Sequence, residues 1–290
     1  MDSTIALPFN ARELRSDAEG FDALGQLHKD LSTIAGKKIQ IDCRQLGWID
    51  GHLAAPLMTI VSHCRRLGGA PLFDALRSNV SLILRKNGFL AQPAIDKFNT
   101  TIPVRFFRLT NEVEFAGYTR EHLRRKEMPR MSAALLGKIF EGIDELFANC
   151  ALHSQSPVPI TATGQFFPKL EKLSFTIADG GRGIDGSLKA AGITFSDPQS
   201  AIDWAMQSNN TSRQGDIPGG LGLKLLRDFI ELNQGSLLVA SNRGFWQQMG
   251  TRVTKRQLRN PFPGTAVVLE IKTNDRHIYD LKSPDPRNIW

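Results

Sequence analysis

In the stretch IDELFANCALHS, Glu145, Asn149 and His153 recur at i, i+4 and i+8 beside the apolar Ile143, Leu146, Phe147 and Ala151. On a helix this spacing lines up an acid, an amide and an imidazole at the border of a buried stripe, which is either a solvated edge or the wall of a site. Downstream, LSFTIADGGRGID runs an apolar strand into Asp179, Gly180, Gly181, Arg182 and Gly183. Glycines there permit a sharp turn and close approach to a ligand, and a carboxylate at the strand end can accept from an exocyclic amine. Further on, PGGLGLKLLRDFIEL places Gly219, Gly220 and Gly222 ahead of an apolar helix from Leu223 to Leu232. The orphan N–H groups and positive dipole end of such a start form an anion site, in which backbone would hold a phosphate. It lacks the Gly-Lys-Ser/Thr of a P-loop and the preceding strand of a Rossmann fingerprint.

These pieces need elements to carry them. Helical sequence runs from about Asn111 to His153, and PVPITATG, LSFTIAD, SLLVAS and AVVLEIK read as strands between glycine-rich turns. Upstream, KKIQIDC alternates as a strand, GHLAAPLMTIVSHCRRLGG has a helical apolar pattern closed by Gly68 and Gly69, and SNVSLILRKNGFL reads as a second helix. Residues Ala91 to Phe107, with Pro93 and Pro103, form the expected boundary. The reading is an α/β protein of two domains, 1–105 and 106–290, the second an α/β sandwich.

Composition narrows the function class. The 290-residue chain is 41% hydrophobic and 22% charged, ordinary values for a globular protein. No apolar run approaches the ~20 residues that span a bilayer, and MDSTIALPFNARELRSD does not resemble a secretory signal, so a cytoplasmic protein without a membrane partner is expected. Cys43, Cys64 and Cys150 are too scattered for a disulfide framework or a zinc site. The net charge of +7 suits either nucleic acid or a small polyphosphate. The densest basic run, RRKEMPR, contains Glu127 and reads as a solvated helix face, so nucleic acid is not the expected partner.

The order E-x-x-x-N on a helix, D-x-G-x-G after a strand and G-L-G-L opening a second helix resembles the GHKL superfamily of gyrase, heat-shock chaperones, histidine kinases and mismatch-repair ATPases, over roughly residues 110 to 272. The resemblance implies a Bergerat-type α/β sandwich that binds ATP with Mg²⁺. By it, Asn149 corresponds to the magnesium ligand, Glu145 to the acid that activates water in the hydrolysing members and assists the metal or the acceptor in kinase members, and Asp179 to the adenine-reading carboxylate. Gly181 and Gly183 correspond to glycines beneath the base, and Gly220, Leu221, Gly222 and Leu223 to the G-L-G-L near the phosphates. The N-x-x-x-H ending at His153 is similar to the box of anti-sigma serine kinases, which would make His153 line the site. Two departures stand out. Leu152 occupies the place of a phosphate-facing lysine found in many histidine kinases, and Pro218 that of the first glycine of G-x-G-L-G-L. The segment from about Ser187 to Pro218 is expected to be an ATP lid, with Thr211, Ser212 and Arg213 as phosphate contacts.

The first domain, around KKIQIDCRQLGWIDGHLAAPLMTIVSHCRRLGG, looks like a STAS domain. In that family the turn after the aspartate normally carries a hydroxyl, whereas Asp50 here is followed by Gly51 and His52. Ser62 and Thr59 lie further into the helix, where hydroxyls point to solvent or bond back to the i−4 carbonyl. The expectation is an ATP-binding protein that hydrolyses ATP or switches on it. Its STAS-like module would engage a protein partner or a second copy. The alternative is an anti-sigma-type serine kinase.

Overall fold

The computed structural model describes residues 4–34, 36–125, 127–207, 221–275 and 278–280. In chain order its elements are β1 (Ile5–Pro8), β2 (Glu13–Leu14), α1 (Ala18–Ser32), β3 (Lys38–Asp42), β4 (Trp48–Ile49), α2 (Ala54–Arg66), β5 (Ala70–Asp74), α3 (Ser78–Lys86), β6 (Thr101–Phe107), α4 (Glu112–Leu123), α5 (Ala133–His153), β7 (Ile160–Phe167), β8 (Lys172–Asp179), α6 (Gly183–Ala190), α7 (Pro198–Ala205), α8 (Leu221–Asn233), β9 (Ser236–Met249) and β10 (Arg252–Lys272). The fold is mixed α/β. A parallel sheet β1-β3-β5 and a small β2-β4 pair make the amino-terminal half, and an antiparallel sheet β6-β7-β8-β10-β9 makes the rest. Among the described residues no helix is long and apolar enough to cross a membrane.

The large sheet is covered on both faces, which explains the nearly continuous apolar run of β8. Leu173, Phe175 and Ile177 join the core beneath α4, α5 and α8, together with Phe115, Phe147 and Leu226. On the opposite face Ala178, Ala240, Ala266 and Val268 share a core with Phe21 and Leu24 of α1 and Leu57 and Ile60 of α2. Phe21 meets Phe262 edge to face with ring centroids 5.7 Å apart. The helices of the amino-terminal half therefore form one outer layer of the larger sheet.

Several expectations change. The proposed linker Ala91 to Phe107 contains β6, and a boundary near residue 105 falls inside that strand. Pro103 is tolerated because β6 is an edge strand and its register with β7 breaks between Ile102 and Arg105. The helical sequence expected from about Asn111 to His153 folds as two helices, α4 and α5. Pro129 lies in the break, and Ser132 caps the second helix by accepting from the Leu135 amide at 3.3 Å. SLLVAS and AVVLEIK are only parts of β9 and β10, which pair as a long hairpin with Gly250 in its turn at φ +53°. In the segment expected to be an ATP lid, the described residues up to Gln207 hold the end of α6 and the whole of α7, joined by turns and irregular backbone at 191–197. Thr211, Ser212, Arg213 and Pro218 lie outside the described residues.

Candidate functional site

Helix α5 buries Leu135, Ile139, Ile143, Leu146, Phe147 and Cys150, and leaves Glu145, Asn149 and His153 half-buried along the border of that stripe. The row extends about 12 Å along the helix at 1.5 Å per residue. Two neighbouring elements meet it, one at each end.

At the first, Glu145 Oε2 accepts from the amides of Gly222 at 3.0 Å and Leu223 at 3.3 Å. These are orphan donors of the first turn of α8, so Glu145 caps that helix from outside. Glycines allow the approach. A Cβ on Gly142 would come within 2.6 Å of the Gly222 carbonyl oxygen, and one on Gly222 within 2.8 Å of the Gly142 Cα. Gly222 thus serves the crossing of α5 and α8. The Leu223 side chain belongs to the core beneath the sheet, and only its amide reaches Glu145. Leu221 opens α8, and Gly219 and Gly220 lie outside the described residues.

At the other end, β8 delivers Asp179, which is 2% exposed. Its Oδ1 accepts from the Gly181 amide at 2.8 Å, and the Cys150 thiol donates to the same carboxylate. Burial nevertheless dominates and pushes its pKa up to about 6, against the lowering effect of these bonds. The Cys150 thiol is itself pushed well above its ordinary range, first by burial and then by the neighbouring carboxylate.

The turn after Asp179 closes on the carboxyl end of α5. The Arg182 amide donates to the Ser154 carbonyl at 2.8 Å, Arg182 Nε to the His153 carbonyl at 2.9 Å, and Ser187 Oγ to the same carbonyl at 2.7 Å. Ser156 Oγ accepts from the Gly180 amide at 3.1 Å. A Cβ on Gly181 would overlap the Ser154 carbonyl. Gly183 has φ +72°, and a Cβ there would meet Ser241 and Asn242. Both glycines are therefore required by close approach of the protein itself. Asn242 Nδ2 donates to the Arg182 carbonyl at 3.0 Å, and Ser241 Oγ accepts from the Ile184 amide at 2.8 Å.

Asn149 lies between these junctions, and its side chain makes no hydrogen bond among the described residues. His153 is half-buried in the last turn, with its carbonyl held as above. The fold thus gathers Glu145, Asn149, His153, Asp179, Gly181, Gly183, Gly222 and Leu223 around one side of α5. Among the described residues no group of three His, Cys, Asp or Glu side chains could hold a metal by themselves.

The amino-terminal half contributes two features that no local pattern announced. His63 of α2 reaches the turn beside Asp179, with Nε2 2.9 Å from the Gly180 carbonyl. Ser16 brings a hydroxyl to Asp50, 3.2 Å from Oδ2, and lies 2.7 Å from His52 Nε2. Thr59 bonds back to the Ala55 carbonyl at 3.3 Å, as its place within α2 leads one to expect. No family model matches the chain, and no curated protein is significantly similar to it.

Proposed function

We propose that the chain is an ATP-binding protein of the GHKL type, which binds its nucleotide along α5 and hydrolyses it or switches conformation on it. The observation that carries this reading is the arrangement about Asn149. A half-buried amide with no hydrogen bond among the described residues stands between a helix start rich in N–H donors and a buried carboxylate at a strand end. An adenosine triphosphate has a complementary polarity, with an exocyclic amine at one end and anionic oxygens at the other.

In this reading Asp179 accepts from the adenine amine. Burial keeps its carboxylate costly to ionise despite the Gly181 and Cys150 donors, so a ligand amine has a further bond to offer it. Perturbed carboxyl groups of this kind cluster at functional sites. Asn149 supplies an amide oxygen to Mg²⁺. That ion keeps much of its water and takes its other ligands from phosphates, so it needs no carboxylate cluster. His153, one turn further on, lies within reach of the same side of the helix.

Glu145 has a second task here. Its carboxylate occupies the Gly222 and Leu223 amides that would otherwise face a phosphate, and two anions compete for the same donors. Phosphate binding would release Glu145 from α8, freeing it to orient water and loosening the α5–α8 junction. That exchange is a route from ATP binding to a conformational change. The STAS-like half, packed on the back of the sheet, is the natural module to transmit it to a protein partner or a second copy.

The test is purified protein with γ-labelled ATP and Mg²⁺, followed for both free phosphate and labelled protein. Free phosphate with unlabelled protein supports the ATPase reading. Label on a serine without free phosphate replaces it with the kinase alternative.

A further inference from the structure

We propose that His63 is a positioning residue for the base-reading carboxylate Asp179, acting through the single peptide unit that joins Gly180 to Gly181. The inference rests on the nucleotide reading given above. The oxygen of that peptide accepts from His63 Nε2 at 2.9 Å, and its N–H donates to Asp179 Oδ1 at 2.8 Å. Because a peptide unit is planar, fixing its oxygen fixes the direction in which its N–H points. His63 on α2 and Asp179 on β8 are thus the two ends of one rigid lever.

The chemistry of the contact is constrained. A carbonyl oxygen only accepts, so His63 must carry its proton on Nε2. Burial, with help from Arg66, lowers the His63 pKa despite the opposing bond to Gly180, which favours the neutral ring and the Nε2–H tautomer. Behind it stands His28 of α1, edge to face with centroids 5.4 Å apart. The imidazole also accounts for a residue choice. A Cβ on Gly180 would overlap His63 Nε2 and come within 2.5 Å of Val158 Cγ2, so the variable position of D-x-G-x-G is glycine here because a side chain from the other half of the chain fills the space. On the neighbouring residue a Cβ would overlap the Ser154 carbonyl, so the turn is pressed from the α5 side as well. A displacement of α2 would rotate the peptide and turn the N–H away from Asp179. The amino-terminal half thereby gains a direct hold on base recognition.

The experiment compares binding of ATP and of inorganic tripolyphosphate, which lacks a base, by calorimetry on the full chain and on His63→Phe and His63→Gln. Phe keeps a ring but no donor, and the Gln amide places an N–H near the former Nε2. The expected result is ATP affinity about 3–10-fold weaker in His63→Phe, the range for one lost neutral hydrogen bond. Tripolyphosphate affinity should stay within about twofold, and His63→Gln should recover most of the loss, on the same hydrogen-bond argument. Equal ATP affinity in His63→Phe, or equal loss of both ligands, or no recovery in His63→Gln, overturns the proposal. The ring nitrogen shifts of ¹⁵N-labelled His63 in the nucleotide-free parent provide an independent reading that needs no variant. An Nε2-protonated neutral ring is expected, and an Nδ1-protonated ring would overturn the contact even if His63→Phe did not fold. Failure of the parent to bind ATP at all would instead remove the nucleotide reading, leaving the ring measurement to judge the peptide contact alone.

Discussion

Glu145 Oε2 and the Gly222 amide lie 3.0 Å apart, so the acid that the helix row singles out is also the cap of the neighbouring helix α8. The two duties separate in variants. Glu145→Ala leaves two amides of α8 without their acceptor and should lower stability by about 1–2 kcal/mol, as loss of a capping acceptor does. Glu145→Gln keeps an acceptor oxygen and should lose less than half of that in urea unfolding. Both should reduce phosphate release by roughly 10²–10⁴-fold if the acid acts on water. A glutamine variant with parental turnover would leave Glu145 with capping alone.

Asp179→Asn should separate binding from stability in opposite directions. The Asp179 pKa is raised in the folded chain to about 6 from an ordinary 3.8, so the native state holds the proton more tightly than the unfolded one. Stability from this group is full below the unfolded value and is lost as pH rises through about 6. Removing the ionisable group should therefore stabilise the nucleotide-free protein at pH 8 by roughly 1–3 kcal/mol, with the gain shrinking towards pH 4. Thermal melts of both proteins across that range check it. A variant less stable than the parent at pH 8 would count against the buried-charge account. Comparison at each pH also cancels the separate effect of His28, whose pKa burial and His63 push down to about 4 and whose charging lowers stability as pH falls from 6.5.

Asn149→Ala should have little effect on folding, since its side chain makes no hydrogen bond among the described residues. It should weaken ATP binding by about tenfold or more in Mg²⁺, where a direct oxygen ligand is lost, and by much less in EDTA. Equal loss in both buffers would place the defect in packing instead of at the metal.

The parts of this site that are legible in the sequence are those carried by local pattern. β8 is visible because its apolar run ends at Asp179, and α8 because its apolar stripe follows glycines. α1 carries an equally local signal, with Asp17 as cap and Phe21, Leu24 and Leu31 on one face. The Asp197–Pro198 pair that opens α7 is a cap followed by proline at the first helical position, and it marks a helix inside the expected lid. β6 is harder to see, because Pro103 signals a break and only its place on a bulged edge makes a strand tolerable. Glu145 with Gly222, Ser16 with His52 and His63 with Gly180 are 77, 36 and 117 residues apart, and no periodicity spans such distances. For the same reason the glycines at 181, 183 and 222 could be located but not explained, since what presses on each is another element's backbone or side chain.

The central claim is tested most directly by calorimetric titration of the purified chain with ATP in Mg²⁺, set beside the same titration of Asp179→Asn. The account predicts saturable one-to-one binding by the parent. It predicts affinity at least about tenfold weaker in the variant, because a charge-assisted acceptor in a buried site is replaced by an amide. A parent that takes up no ATP, or a variant that binds it as tightly as the parent, would contradict it.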